Sequence, residues 1–167
     1  MQEVSIMVFS RKEIVLVSFI LVAVLIRLFP HPPNVAPITA VALFAGTFFD
    51  KKHWAILMPL IAMTFTDLFL GFSMITPVVY LSFIAITVIG MVFKKMNFGM
   101  VILSSMVFFV LTNLGVWALY YPLTPEGLIT CFTLAIPFFI NSILGDLFFS
   151  VSLLFGYRFA AQRLQLA

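Results

Sequence analysis

Apolar residues fall into six blocks of roughly 14 to 24, separated by short polar or proline-bearing stretches. Blocks of that length suit bilayer-spanning helices rather than strands or the core helices of a water-soluble domain. The pattern predicts helices over residues 13–29, 36–49, 54–72, 77–93, 98–120 and 128–157. The expected fold class is therefore an all-α integral membrane bundle of six transmembrane helices, one domain over 1–167. The connections are short, as between antiparallel neighbours. The second helix is too short to span alone: about 14 residues at ~1.5 Å each give roughly 21 Å, against about 30 Å of hydrocarbon.

The longest polar interruption is Arg27-Leu-Phe-Pro-His-Pro-Pro-Asn-Val-Ala-Pro37. Its prolines fix φ near the polyproline value and bias the preceding residues away from helix. A stiff extended segment is expected, completing the short second helix, with Asn34 as its N-cap and Pro37 in its first turn. Non-helical backbone at membrane depth persists only where it is buried in protein or lines a wet cavity. A pocket near this segment follows.

Charge sets an orientation. Arg11, Lys12, Lys51, Lys52, Lys94, Lys95, Arg158 and Arg163 fall on one side of a six-span arrangement, and Arg27 on the other. By the positive-inside rule both termini are expected in the cytoplasm. Composition agrees with a membrane class: 63% of the 167 residues are hydrophobic and 9% charged, against about 25% charged in soluble domains. The net charge of +3, held in pairs between apolar blocks, reads as topology and gives no reason to expect nucleic acid. The run 14–26 is followed by Arg27 and prolines instead of a small-residue cleavage site, so it is expected to stay as a first span. The single cysteine, Cys131, excludes an intrachain disulfide and reads as an inert buried thiol.

Ionisable and amide groups inside spans are the candidates for chemistry. Arg27 and Asp67, near the outer ends of helices 1 and 3, form either a charged rim that orients a polar ligand or a snorkelling arginine and a structural carboxylate. Asn113 and Trp117 lie one turn apart on helix 5 and suit a flat, heteroatom-rich ligand; the bland alternative for Trp117 is an interfacial aromatic belt. Asn141 on helix 6 is a buried amide in need of a partner. His31 and Asn34 complete the candidate binding set, His31 being either a ligand contact or a solvated loop residue. Asp146 shares a face with Ser142 and Ser150, and Gly145 beside it permits close helix approach, so an interhelical role is favoured. Pro59 and Pro137 each precede an aspartate on their helix, Asp67 and Asp146, and are expected to kink it. That correspondence hints at a three-plus-three inverted repeat. The small-residue faces Ala36-x-x-x-Ala40 and Ala42-x-x-x-Gly46 imply tight packing or a docked partner helix. No metal site and no cofactor are expected.

The strings Arg27-Leu-Phe-Pro-His-Pro-Pro-Asn, Ala-Leu-Phe-Ala-Gly at 42–46, Asp67-Leu-Phe-Leu-Gly-Phe, Thr-Asn-Leu-Gly-Val-Trp at 112–117, Tyr-Pro-Leu-Thr at 121–124 and Ile-Pro-Phe-Phe-Ile-Asn-Ser-Ile-Leu-Gly-Asp at 136–146 carry a resemblance over about residues 25–157. They resemble a family of small bacterial membrane proteins of unknown function, described as transport proteins similar to the S components of energy-coupling factor vitamin transporters. The resemblance implies an S-component-like bundle in the bacterial cytoplasmic (inner) membrane, with a vitamin-sized pocket near the outer face and a layout similar to solitary cobalamin-type proteins. It also implies a coupling module, a transmembrane subunit plus ATPases, as a partner. S components usually dock that module through Ala-x-x-x-Ala on their first helix; here the small-residue faces are on the second.

The leading expectation is a binding and uptake protein for a vitamin or related micronutrient, with no chemistry on the ligand. The chain has no Gly-x-x-x-x-Gly-Lys phosphate loop, so energy would come from a partner ATPase. The alternative is a stand-alone ion-coupled permease or channel using Asp67 or Asp146. A remote one is an intramembrane aspartyl protease, which needs both aspartates within a few ångströms, sharing a proton.

Overall fold

The computed structural model describes residues 10–30 and 34–165. Among them lie six helices and no strand: α1 (Arg11–Ile26), α2 (Ile38–Phe48), α3 (Lys52–Leu70), α4 (Thr76–Phe93), α5 (Phe98–Tyr120) and α6 (Pro125–Leu164). Several helix starts follow from local chemistry. Ser10 caps α1 in a capping box, its Oγ accepting from the Glu13 amide while Glu13 accepts from the Ser10 amide at 2.8 Å. Asn97 caps α5 and Thr124 caps α6, with Pro125 in the first turn.

Three expected boundaries need correction. Helix 1 ends at Ile26, with Arg27 as its C-cap and Leu28 and Phe29 in turns beyond it. Asn34 does not cap α2: the cap position is Pro37, no side chain bonds there, and Asn34 sits at φ 62°. Asparagine tolerates that left-handed conformation, and here it turns the chain ahead of the helix. Helix 6 continues to Leu164, because no breaker follows Tyr157 until Gln165 turns left-handed at φ 50°. Pro59 and Pro137 both lie inside uninterrupted helices.

The organising element is α2. Residues Ile38 to Gly46 are all buried, and the helix packs against the other five. Its tightest neighbour is α4, where Gly46 and Gly90 cross backbone to backbone: a Cβ on Gly46 would lie 2.1 Å from the Thr87 carbonyl oxygen, and one on Gly90 would lie 2.7 Å from that of Leu43. The α2 small-residue face is thus consumed inside the bundle and is closed to a docked partner helix. At the far end of α2, Phe44 and Phe48 hold Tyr157 of α6, with ring centroids 5.6 and 4.7 Å away. Lys94 adds a C-terminal cap in trans, its Nζ donating to the carbonyls of Gly46 at 3.2 Å and Phe49 at 3.0 Å. Lys12–Asp50 at 2.8 Å and Lys51–Glu13 at 3.2 Å close the same end.

Four helices, α3, α4, α5 and α6, are long and apolar enough to cross a membrane. Large apolar side chains cover the outside, among them Leu68, Phe69, Val92, Phe98, Phe148 and Phe155. An apolar surface of this extent requires lipid or another apolar partner. Length, hydropathy and this inverted exposure together mark a membrane protein.

Candidate functional site

Opposite the lysine-capped end, the C-cap of α1 meets the last turns of α3. Arg27 Nη1 donates to Asp67 Oδ1 at 2.6 Å and to the Thr66 hydroxyl, and Thr66 in turn donates to the Met63 carbonyl at 3.0 Å. Tyr80 of α4 donates to Asp67 Oδ2 at 2.8 Å. Asp67 is buried, so both carboxylate oxygens are engaged, one by a cation and one by a phenol. The group ties α1, α3 and α4 together and leaves Asp67 fully occupied.

Behind this knot lie two adjoining lobes. The first, about 240 Å³, is lined by Arg27, Asn34, Thr39, Phe83, Ser142 and Asp146 among others. The second, about 230 Å³, is lined by Asn113, Thr112 and the rings of Phe108, Phe109, Phe138 and Phe139 among others. Asn34, Val79, Phe108 and Ser142 line both and form the seam. Asn34 reaches the seam because Gly145 lets the chain before α2 lie against α6: a Cβ there would be 3.2 Å from Val35 Cα. The close approach expected at Gly145 is therefore made by an extended segment instead of a helix.

Asp146 is 3% exposed. Its Oδ2 accepts from the Ser105 hydroxyl of α5 at 2.7 Å, and Thr39 of α2 lies beside the same carboxylate. The serines that share its face do not bond to it among the described residues. Ser142 donates to the Phe138 carbonyl at 3.1 Å, and the Ser150 hydroxyl is buried without a partner among the described residues. Ser142 satisfies itself on the carbonyl one turn back, and the hydroxyls that answer Asp146 come from neighbouring helices.

The candidate binding residues divide. Arg27, Asn34 and Asn113 line the lobes; Asp67 acts from behind as the partner of Arg27. Asn113 also donates to the Phe109 carbonyl at 2.8 Å. Trp117 lines neither lobe: its indole N–H donates to the Pro122 carbonyl at 3.0 Å, five residues on, so the indole is spent on the α5–α6 turn. The expected amide-plus-indole pair is thereby separated. Asn141 is half-buried on α6 and also lines neither lobe. His31 lies outside the described residues. Cys131 is buried, with its Sγ 3.6 Å from the Asn113 carbonyl. No hydrogen bond joins Asp67 to Asp146 among the described residues; each has its own partners.

Sequence reasoning missed Tyr80, Thr39 and Ser105. A tyrosine within an apolar helix must place its hydroxyl, and the Ser104-Ser105 pair interrupts an apolar helix, so both carried a signal. Neither signal named the carboxylate that would answer it.

Fold and site together define a helical membrane protein with two adjoining, half-open polar–aromatic pockets. The chain belongs to a family of unknown function, DUF6580, which matches residues 8–167. No curated protein and no solved structure matches the chain.

Proposed function

We propose that this protein binds a compact, vitamin-like micronutrient within the membrane for uptake. The supporting observation is the pair of adjoining lobes, which share the Asn34–Ser142 seam. Taken together they fall within the range of about 300–1,000 Å³ usual for small-molecule sites, with a few polar groups set among aromatic walls. That size favours a compact ligand over a corrin macrocycle. In this reading six helices cross the bacterial cytoplasmic membrane, both termini are cytoplasmic and the lobes lie toward the outer face. A coupling module of the energy-coupling factor type would dock on a face other than α2, whose small residues are already used.

The reading is tested by native mass spectrometry of protein purified in mild detergent, followed by calorimetry against a vitamin panel. The expected outcome is a co-purified small molecule, reduced at least about tenfold in occupancy by Asn113→Leu, a near-isosteric change that removes the amide donor and acceptor from the second lobe. Protein that emerges empty and takes up nothing from the panel sinks the proposal. A second reading, an ion-coupled permease, is favoured by one observation: Asp146 lies in the lobe wall with only hydroxyl partners among the described residues. Uptake that collapses with the proton gradient and persists without ATP would select it.

A further inference from the structure

The two lobes differ in electrical character, and the difference points to a class of ligand. Among the described residues, the charged side chains lining the first lobe are Arg27 and Asp146. Arg27 already has its anion, Asp67, at 2.6 Å. Asp146 has no cation within ion-pair distance among the described residues, only the Ser105 hydroxyl at 2.7 Å and the neighbouring Thr39. Among the described residues, the rest of the lining that faces it is uncharged: Thr39 from α2, Met63 from α3, Val79 and Phe83 from α4, Phe108 from α5 and Asn34 before α2. A carboxyl group buried in such a wall gains more from an incoming cation than from any other ligand group, because its partners among the described residues are hydroxyls and the one cation lining the lobe, Arg27, is held by Asp67. The rings in its lobe fit the same partner. Phe83 and Phe108 both line this lobe with Asp146 and stack on each other at 5.1 Å with an interplanar angle of 17°, so the same lobe holds aromatic rings and the carboxyl group.

We infer that the first lobe selects an organic cation: an ammonium-type group docks on Asp146 against Phe83 and Phe108, and a flat apolar portion extends across the Asn34 seam into the phenylalanine-lined second lobe. The inference rests on the binding reading above and narrows its ligand. An anionic ligand would meet Asp146 and find Arg27 already paired. A neutral ligand of the same shape would fill the rings and forgo the charge-assisted hydrogen bond.

The test uses three probes of one size, benzylamine (a cation at pH 7), benzyl alcohol and benzoate, titrated calorimetrically into the full-length protein in mild detergent. Benzylamine should bind at least about tenfold tighter than either of the others, the margin a charge-assisted hydrogen bond supplies. Asp146→Asn should abolish that margin. The wild-type comparison stands even where the variant fails to fold. Equal affinities for the three probes, or a preference for benzoate, overturn the cation assignment and leave the binding site itself in place. Absence of heat from all three overturns the inference and counts against the binding reading as well.

Discussion

Arg27 and Asp67 stand 40 positions apart, and what joins them is the economy of buried charge. A carboxylate inside an apolar bundle needs a cation or several donors, and Asp67 obtains one of each kind, Arg27 on one oxygen and Tyr80 on the other. Removing the charge should therefore cost more than removing the phenol. The Arg27 side chain keeps 20% of its surface exposed, so Asp67→Asn should fall below the ~3–5 kcal/mol of a wholly buried pair, at roughly 2–3 kcal/mol. Tyr80→Phe should cost about 1–2 kcal/mol, the value of one hydrogen bond to a charged acceptor. Thermal unfolding in mild detergent measures both, and equal losses would make Asp67 an acceptor for Tyr80 rather than the counter-ion of Arg27. At this scale the sequence marked Arg27, Asp67 and Asp146 as costly residues in need of partners. It did not supply Tyr80 or Ser105, because a hydroxyl becomes a partner only through the rotation and depth of its helix.

The elements turn on the crossing of α2 and α4. Glycine at positions 46 and 90 lets the two backbones touch, and a methyl at either would lie well inside the contact distance of a carbonyl oxygen, at 2.1 and 2.7 Å. Because the obstacle is backbone and not a movable side chain, Gly46→Ala should destabilise by about 1–3 kcal/mol. Gly99→Ala is the contrast: its new Cβ would meet only the Asn97 side chain at 3.6 Å, and the helix propensity of alanine should make it neutral or stabilising by up to about 1 kcal/mol. Comparable losses at the two positions would show that helix propensity, and not the crossing, sets the effect. The capping box of Ser10 with Glu13 closes within one turn, yet the hydropathy pattern began helix 1 at Glu13, and the one cap expected, Asn34, makes no capping bond. Helix ends were no more legible: α1 stops before Arg27 and α6 runs on to Leu164, since fraying and continuation depend on what packs beyond the last turn.

On the scale of the whole molecule, α2 explains how an 11-residue helix can sit in a membrane protein. It is about 16 Å long and would leave its ends stranded in lipid, but five helices surround it and Lys94 caps its C-terminal carbonyls. The 40-residue α6 has the opposite property: at about 60 Å it is longer than about 30 Å of hydrocarbon, and in the proposed orientation its end bearing Arg158 and Arg163 would reach beyond it. The proposed six-span orientation places Ser10 and Gln162 on one side of the membrane and Ser73 on the other. In a Cys131→Ser background, cysteines at the first two positions should react with an impermeant thiol reagent only in inverted vesicles, and one at position 73 only in intact cells; any exchange between these sets refutes the orientation. The sequence by itself determined the class of fold, the number of helices and the residues whose burial demands an answer, because hydropathy and charge cost are properties of short stretches. Only the tertiary structure decided that Gly46 of α2 meets α4, that Trp117 serves a turn, that Arg27 is neutralised while Asp146 meets only hydroxyls among the described residues, and that Asn34 stands between two lobes. Each of these depends on the rotation of one helix against another, and periodicity constrains that rotation only weakly when lipid and core are both apolar.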